Sequence, residues 1–402
     1  MKFTPIKTVT TKMNLPVKLN HIMVLTGEPS GDLHAGHLVR EIKQINNHIY
    51  FSGIGGTHLE DQKVDLFYNI SKLSAMGLTE VFMQFPQIKK AFDLFKKKLR
   101  VNTPNLIILV DYPGFNLKAA QFAKDHYDIK ILYYITPKVW AWKKSRLKNI
   151  KKYIDHAALI LPFEEKIYKK AKIQYTYVGN PLMDEYSENI PEVLLDSKPL
   201  SSKQKNTTMI GLLPGSRNNE LKSLLDIMIE AATLIHRNNK KVVFIISKAS
   251  SINRKIIEAG LKKIRNDSMF QIKEGPVKDI FFKSELVIAA SGTVTLEAAL
   301  CCVPTIIVYK ISPVTYYIGK LFVKVNYLGL ANLIVKAEVM PELLQNDATA
   351  EKISKKALYM LDNLFYFQNQ LKIVRKLLGK KGASKRAANI AVNMLATSKL
   401  SY

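Results

Sequence analysis

The sequence predicts an α/β fold made of two similar halves, each built on a parallel β-sheet. Short apolar runs alternate with amphipathic stretches in the first part of the 402-residue chain, and the same alternation returns in the second part. Strands that alternate with helices are typical of parallel sheets. Residues 187–207, rich in Ser, Lys, Pro and Glu, separate the two parts and are predicted to be a linker between domains.

Each half shows its own series of elements. The first half, residues 21–186, is predicted to contain strands 21–26, 106–110 and 131–135 and helices 33–45, 85–100 and 116–127. The second half, residues 208–349, is predicted to contain strands 208–213, 242–247, 286–290 and 304–309 and helices 219–236, 251–264 and 294–302. Residues 350–402 are helical by pattern, and they could pack back on the first half or against another subunit of a homodimer.

The composition limits the environment and the partners of the chain. Its 60 Lys and Arg outnumber 33 Asp and Glu, and this net charge of +27 favours polyanions, anionic lipids or phosphorylated substrates. The two cysteines, Cys301 and Cys302, are adjacent, so no disulfide framework is expected and a reducing cytosol fits best. Residues 1–20 form a basic extension without a signal-peptide core, and no apolar run reaches the ~20 residues of a membrane span.

The turn after the first strand is the most informative segment. It contains Gly27, Glu28, Ser30, Gly31 and Asp32 immediately before an amphipathic stretch. Ligands of open α/β sheets bind beyond the carboxyl ends of strands, and glycine lets the backbone approach them. Because the dinucleotide fingerprint is absent, the turn favours a hydroxyl-rich or phosphorylated substrate, with Glu28 and Asp32 as candidate catalytic groups. The alternative is that a polar residue only caps the next helix.

A matching loop follows the first strand of the second half. Gly215 and Ser216 can present backbone N–H groups to a phosphate, and Arg217 can add a bidentate charged contact. The alternative is an ordinary turn with a solvated arginine.

A second loop of this half begins with Ser291, Gly292 and Thr293 at a predicted helix N-terminus, where the helix dipole favours a phosphate. Glu297 lies in the first helical turns and could accept hydrogen bonds from a vicinal diol such as a ribose. The alternative is a glutamate that only suits the dipole.

Asp111 is the candidate general base of the first half. It ends an apolar strand and faces the same crevice as Glu28, where a carboxylate could take a proton from an attacking hydroxyl. The alternative is an aspartate that caps the following helix. His34 and His37 could also act as bases but rank below Asp111. Neither a zinc-like Cys and His spacing nor a D-x-D signature occurs, so no metal is predicted.

Aromatic and basic residues alternate over residues 78–100, a pattern that suits an anionic bilayer surface. The expected membrane contacts are Phe82, Phe85, Phe92, Lys89, Lys90, Lys96 and Lys97. The alternative is a core helix with a solvated basic face. A further cluster around Lys138, Trp140 and Trp142 would by itself suggest nucleic-acid binding.

Seven segments in order resemble the lipid-A-disaccharide synthase family. They are TGEPSGD at 26–32, MGLTEV at 76–81, VDYPGFN at 110–116, TPKVWAW at 136–142, VGNPL at 178–182, LLPGSR at 212–217 and SGTVTLEAAL at 291–300. The resemblance covers residues 21 to about 345. It implies a GT-B glycosyltransferase with two Rossmann-like domains, in which the first binds the acceptor and the second binds UDP-sugar.

The family resemblance also implies the reaction and the roles of residues. UDP-2,3-diacylglucosamine and 2,3-diacylglucosamine 1-phosphate (lipid X) would give a β-1,6 disaccharide and UDP, with inversion and without a cofactor. Glu28, Ser30 and Asp32 fall in the acceptor-side site, Asp111 is the implied base, and Asn332 joins the UDP-binding residues.

Where the family often has a second acid after the Asp111 position, this chain has Gly114, and residues 1–20 have no obvious counterpart. The implied location is the cytoplasmic face of the inner membrane of a Gram-negative bacterium. The alternatives are another UDP-sugar GT-B enzyme, such as a UDP-N-acetylglucosamine 2-epimerase, and a nucleic-acid-binding protein. A member of the lipid-A-disaccharide synthase family is not expected to bind nucleic acid.

Overall fold

The computed structural model describes residues 20–70, 85–141, 145–186, 207–264, 267–311 and 325–398. Nearly all of the predicted extension 1–20 and linker 187–207, together with the MGLTEV segment, lie outside the described residues. Within them, two parallel sheets confirm the predicted fold class.

The first sheet has seven parallel strands in the order β3-β2-β1-β4-β5-β6-β7. These strands are β1 Asn20–Leu25, β2 Ile49–Gly55, β3 Asp65–Asn69, β4 Leu106–Val110, β5 Lys130–Tyr134, β6 His156–Leu159 and β7 Tyr175–Tyr177. The strand order reverses direction between β1 and β4, which pair from Ile22 with Leu106 to Leu25 with Leu109. Ligands of such sheets bind at this reversal, so the loops after β1 and β4 are positioned for a substrate.

Helices cover both faces of the first sheet because its central strands are apolar on both sides. They are α1 Pro29–Ile45, α2 Thr57–Asp61, α3 Phe85–Val101, α4 Pro113–His126, α5 Arg146–Tyr153, α6 Glu164–Ala171 and α7 Leu182–Tyr186. Every residue of β4 is fully buried, as expected for a central strand between two helical layers.

The second sheet repeats the plan with six parallel strands in the order β10-β9-β8-β11-β12-β13. These strands are β8 Thr208–Leu213, β9 Val242–Lys248, β10 Phe270–Glu274, β11 Leu286–Ala290, β12 Thr305–Tyr309 and β13 Glu342–Leu344. The helices of this half are α8 Asn218–Asn238, α9 Arg254–Leu261, α10 Lys278–Phe281, α11 Thr293–Leu300 and α12 Leu330–Val335. The order reverses between β8 and β11, the strands that precede the two predicted phosphate-binding loops.

The C-terminal helices connect the two halves. They are α13 Ala350–Asp362, α14 Leu364–Leu378 and α15 Ala383–Ser398. Helix α13 packs in the core of the second half, whereas α15 packs against α1 and the first sheet. The Asp184 carboxylate accepts hydrogen bonds from the backbone N–H groups of Gly382 and Ser384 at the start of α15. The chain therefore returns to its first half after completing the second.

Several element boundaries differ from the prediction. Helix α1 begins at Pro29 instead of residue 33, so Ser30, Gly31 and Asp32 lie in its first turn. Proline is favoured at the first helical position because it lacks an N–H group that would be unpaired there. The edge strands β3 and β7 were not predicted because they are short and their residues are half-buried or exposed, which weakens the apolar pattern.

Candidate active site

Asp111 lies at the strand reversal of the first sheet in a constrained turn. Asp111 and the next residue, Tyr112, both have left-handed backbones, with φ of 48° and 45°. For residues with a side chain this conformation is uncommon, and it persists where surrounding contacts hold it. Here strand β4 ends and helix α4 begins within a few residues, and the turn directs Asp111 away from the strand.

A buried asparagine, Asn116, holds this turn. Its Nδ2 donates to the carbonyl of Asp111 at 2.7 Å and to that of Val110 at 3.2 Å. It also approaches the Leu25 carbonyl at the end of β1, at 3.4 Å. Tyr133 on β5 donates its hydroxyl to the Asp111 carbonyl at 2.8 Å. Side chains of α4 and β5 therefore fix the backbone of Asp111, the candidate base.

The sequence analysis assigned no role to Asn116. It lies in the VDYPGFN segment, and its position shortly after Asp111 was the available signal. A hydrophilic residue just inside a helix appears ordinary in sequence, so its hydrogen bonds to carbonyls of two strands could be recognised only in the structure.

Gly27 lies where the Tyr112 ring approaches the backbone after β1. A Cβ atom at position 27 would lie 2.2 Å from Tyr112 Cδ1, which is far inside van der Waals contact. Gly31 has a similar role, because its Cβ would lie 2.5 Å from Thr26 Oγ1. Both glycines thus permit close packing in this turn. Gly114, by contrast, has open space around it.

Glu28 and Asp111 influence each other electrostatically across the turn. Desolvation raises the pKa of Glu28, the Asp111 carboxylate raises it further, and the cations Arg217 and Lys138 lower it. Burial raises the pKa of Asp111, while Lys138 lowers it. Arg217 belongs to the second half, so the two halves place opposite charges in one cleft. Lys138, which belongs to the aromatic and basic cluster of the sequence, is close enough to Asp111 to lower its pKa.

Asp32 is engaged with the backbone of the first half. Its side chain is 2% exposed, and its two oxygens accept backbone hydrogen bonds from Gly56 at 2.7 Å and His58 at 2.9 Å. These bonds fix the loop between β2 and α2. The structure thus places Asp32 in a positioning contact, and its expected catalytic role stays a prediction.

Ser30 is exposed in the first turn of α1 and faces solvent instead of capping the helix. The N-cap residue of α1 is Glu28, whose side chain makes no capping hydrogen bond. The capping alternative is thus not what these polar residues do, and Ser30 and Glu28 remain accessible to a ligand.

The loop after β8 combines a left-handed glycine with an exposed arginine. Gly215 has φ of 110°, and a Cβ there would lie 2.5 Å from Glu220 Oε2. Ser216 is exposed beside it. Arg217 Nη1 contacts Glu220 Oε1 at 3.0 Å, and the Arg217 side chain is 56% exposed. An exposed surface pair of this kind contributes little stability, so the guanidinium can exchange Glu220 for a phosphate at small cost.

The loop after β11 leaves room at a helix N-terminus. A Cβ at Gly292 would have no atom within 4 Å, and Thr293 is the first residue of α11. Ser291 is half-buried beside them. Glu297 accepts a hydrogen bond from the Tyr186 hydroxyl at 2.6 Å, and burial raises the pKa of its carboxyl. Tyr186 thus orients Glu297 across the junction of the two halves.

The Asn332 side chain is engaged in hydrogen bonds within the second half. It is fully buried, its Nδ2 donates to Met340 O and Glu342 Oε1 at 2.7 Å each, and its Oδ1 accepts from the N–H groups of Val339 and Met340 at 2.8 Å each. An asparagine side chain offers two donor hydrogens and two acceptor sites, and all are used. In this arrangement the residue ties α12 to β13, and its contact with UDP stays a prediction.

Only part of the predicted membrane-contact surface falls within the described residues. Phe92 is half-buried and packs edge-on against Phe115 at 5.7 Å and Phe122 at 6.1 Å between ring centroids, which favours the core-helix alternative at this position. Phe82 and the side chain of Phe85 lie outside the described residues.

Four basic residues of α3 were also expected at the membrane. Lys89, Lys90 and Lys97 are exposed, whereas Lys96 pairs with Asp93 at 2.8 Å. Helix α3 therefore fits a core helix with a basic outer face. None of the helices in the described ranges is long and apolar enough to cross a membrane.

Trp140, in the second basic and aromatic cluster, is engaged in packing. Its Nε1 donates to Glu164 Oε1 at 3.2 Å, and its ring meets Phe163 edge-on at 5.3 Å. Burial raises the pKa of Glu164 to about 7. Trp140 is therefore held in place by one hydrogen bond and one ring contact within the first half.

Sequence comparisons show the family of the chain. The family model described as "Lipid-A-disaccharide synthetase" matches residues 22–394. Lipid-A-disaccharide synthase of Coxiella burnetii (strain Dugway 5J108-111) is 35% identical over 384 residues, which cover 93% of this chain and 98% of that protein. The enzyme of the same name from Geobacter metallireducens is 36% identical over 379 residues, covering 93% of this chain and 97% of that protein.

Solved structures resemble the fold at low sequence identity. A putative UDP-N-acetylglucosamine 2-epimerase from Listeria monocytogenes has a TM-score of 0.63 at 13% identity, covering 95% of this chain and 96% of that one. MurG of Acinetobacter baumannii has a TM-score of 0.54 at 14% identity, covering 93% and 99%. These likenesses support the GT-B architecture alone, whereas the matches along the sequence are specific. The chain therefore belongs to the lipid-A-disaccharide synthetase family.

Proposed function

We propose that this protein is a lipid-A-disaccharide synthase. It transfers 2,3-diacylglucosamine from UDP-2,3-diacylglucosamine to lipid X, giving the β-1,6 disaccharide 1-phosphate and UDP. The observation that carries the proposal is the family match over residues 22–394 together with Asp111 fixed at the strand reversal of the first sheet.

Asp111 is the general base in this proposal. Its carboxylate accepts the proton of the acceptor 6-hydroxyl as that oxygen attacks the anomeric carbon of the donor. Burial raises the pKa of Asp111, which strengthens it as a base, and the Lys138 cation opposes this rise in pKa. A single displacement on an α-linked donor inverts the anomeric carbon and gives the β product.

The leaving group is stabilised from the second half. As the anomeric bond breaks, negative charge grows on the β-phosphate of UDP. Arg217 supplies a cation, and the N-terminus of α11 at Thr293 supplies N–H groups and the positive end of the helix dipole. The open space at Gly292 gives the diphosphate access to this helix end.

Glu297 recognises the ribose of UDP. The hydrogen bond from Tyr186 occupies one carboxylate oxygen, and the second oxygen suits a ribose hydroxyl. Gly215 and Ser216 complete the UDP-binding site, since their loop follows β8, which lies beside β11 at the reversal of the second sheet.

The reaction takes place at an anionic membrane surface, on the cytoplasmic face of the inner membrane. Both substrates carry acyl chains, and Lys89, Lys90 and Lys97 give α3 a basic outer face. Replacing Lys89 and Lys90 with Ser is expected to reduce sedimentation with anionic vesicles, whereas the same change at Lys169 and Lys170 on α6 is not. Equal sedimentation of the two variants would contradict a role for α3. A homodimer stays a prediction.

The function is tested by incubating purified protein with two alternative sets of substrates. In detergent micelles, UDP-2,3-diacylglucosamine with lipid X should give disaccharide and UDP in equal amounts by mass spectrometry. UDP-N-acetylglucosamine alone should remain unchanged. Epimerised sugar nucleotide without disaccharide would instead support the 2-epimerase hypothesis, and UDP-sugar binding without either product would reopen the acceptor assignment.

A further inference from the structure

Three side chains with metal-binding atoms converge beneath the junction of the two halves. His34 and His37 lie on α1, and Glu185 lies on α7. One potential ligand atom from each lies within 4.8 Å of the others, and His34 Nδ1 is 3.7 Å from Glu185 Oε1. His34 is only 8% exposed, whereas His37 and Glu185 are half-buried, so the group lies at the edge of the protein interior.

The converging atoms lack hydrogen-bond partners among the described residues. His34 Nδ1, His37 Nδ1 and Glu185 Oε1 are all buried and make no hydrogen bond, and the first and last of them are only within ion-pair distance of each other. Buried polar atoms normally have partners, because leaving one unpaired costs about 1–3 kcal/mol. Three side chains of metal-binding type with such atoms therefore converge where a cation could satisfy them.

Most other histidines of this chain are already engaged. His21 pairs with Ser52, His126 with the Phe122 carbonyl, His156 with Thr176 and His236 with the Val242 carbonyl, at 2.8–2.9 Å. Cys301 and Cys302 are both fully buried elsewhere, so neither competes as an accessible thiolate. His21 Nδ1 is also buried without a hydrogen bond, so the feature that distinguishes His34 and His37 is their convergence with the Glu185 carboxylate.

We propose that His34, His37 and Glu185 bind one zinc ion, with water as the fourth ligand. Residues three apart on a helix lie on the same face, so the two imidazoles approach the ion together and Glu185 closes the site from α7. Two imidazoles and one carboxylate are a known ligand set for zinc.

The distances require a small contraction. Ligand atoms about 2.0–2.2 Å from a tetrahedral zinc ion lie roughly 3.4 Å from one another. The His34 to Glu185 distance of 3.7 Å is close to this value, and the widest separation of up to 4.8 Å would have to shorten by about 1.4 Å. Side-chain rotation of the half-buried His37 and Glu185 can supply such a movement.

The position of the site gives the ion a structural role. Asp184 holds the start of α15, Glu185 would bind zinc, and Tyr186 orients Glu297. Three consecutive residues would then connect α1, the C-terminal helix and the nucleotide side of the cleft. Glu185 also lies near the carboxylates of Asp184 and Glu297, and a divalent cation would offset their mutual repulsion. No step of the glycosyl transfer depends on this ion.

No metal was predicted from the sequence because its Cys and His residues do not occur at the short spacings of known zinc motifs. His34 and His37 were recognised only as weak candidate bases, and Glu185 is distant in sequence. Only the packing of α7 beside α1 brings the third ligand into reach.

The test uses full-length, tag-free protein stripped with chelator and dialysed. Calorimetric titration with Zn²⁺, and visible absorption with Co²⁺ as a spectroscopic probe, should show one ion per chain in a tetrahedral field. Zinc should also raise the thermal unfolding midpoint. His37→Gln and Glu185→Gln should each weaken binding at least tenfold, whereas His48→Gln, the same change at an exposed histidine, should leave it unchanged.

Two results would overturn the proposal. One is the absence of stoichiometric binding to the wild-type chain. The other is binding that survives in both His37→Gln and Glu185→Gln, which would place the ion elsewhere. The two substitutions lie on different helices. If circular dichroism shows that one variant is misfolded, zinc binding by the other variant still tests the proposal. Disaccharide formation is measured separately, so failure of this proposal does not affect the proposed function.

Discussion

Replacing Asn116 with alanine isolates the contribution of backbone geometry at the candidate base. The side chain is 1% exposed, and its Nδ2 donates to the carbonyls of Asp111 and Val110 at the left-handed turn. The substitution leaves the Asp111 carboxylate itself unchanged. Any loss of turnover beyond the loss of folded protein therefore reports on the position of Asp111.

The expected effect on stability follows from the two shorter hydrogen bonds. At about 1–2 kcal/mol for each buried carbonyl that loses its donor, the free energy of unfolding should fall by about 2–4 kcal/mol. The Tyr133 hydroxyl still donates to the Asp111 carbonyl, which favours the lower end of this range. Since a displacement of about 1 Å at a reacting group can cost ~100-fold, turnover should fall by a factor of about 10–100 in fully folded enzyme.

The assay combines urea unfolding, UDP titration and disaccharide turnover at a temperature where the variant is folded. Ser52→Ala is the matched control, because it removes another buried hydrogen bond of the first sheet, to His21, away from the cleft. Asn116→Ala should lose both stability and turnover, whereas Ser52→Ala should lose stability alone. The reasoning fails if folded Asn116→Ala turns over within threefold of wild type.

Two further predictions concern the charges of the cleft. Turnover requires ionised Asp111, so it is lost as pH falls through the raised pKa of this carboxyl. The Lys138→Gln variant removes the cation that lowers this pKa. It should therefore move the acidic limb of the pH–rate profile to higher pH. Lys169→Gln should leave the limb in place, and an unmoved limb in both variants would contradict the role of Lys138. Glu297→Gln should weaken UDP binding roughly 10- to 100-fold by calorimetry, since a hydrogen bond to a charged group contributes about 1.5–3 kcal/mol. Unchanged affinity would remove Glu297 from the nucleotide site.

The sequence was sufficient to locate the strands at both sheet reversals. Runs such as Leu106–Val110 and Leu286–Ala290 are wholly apolar, because helices cover both faces of these strands, and each is followed by polar or glycine residues. The loops that bear Asp111, Arg217 and Thr293 were therefore predicted at the ends of the correct strands.

The partners of individual polar residues could not be predicted in the same way. Asp32 and Asn332 have the residue types of a ligand site, yet each binds backbone groups brought close by the tertiary fold. Phe92 alternates with lysines as a membrane anchor would, but α4 covers its ring. Periodicity identifies which face of a helix is apolar; it does not identify whether protein or lipid covers that face.

The most direct test of the central claim compares wild-type protein with Asp111→Asn in the same disaccharide assay. The change keeps the size of the side chain and its strained turn but removes the base, so turnover should fall roughly 100-fold or more while UDP affinity stays nearly unchanged. Wild-type protein that forms disaccharide and an Asp111→Asn variant that binds UDP but barely turns over would agree with the account. Equal activity of the two proteins would contradict it.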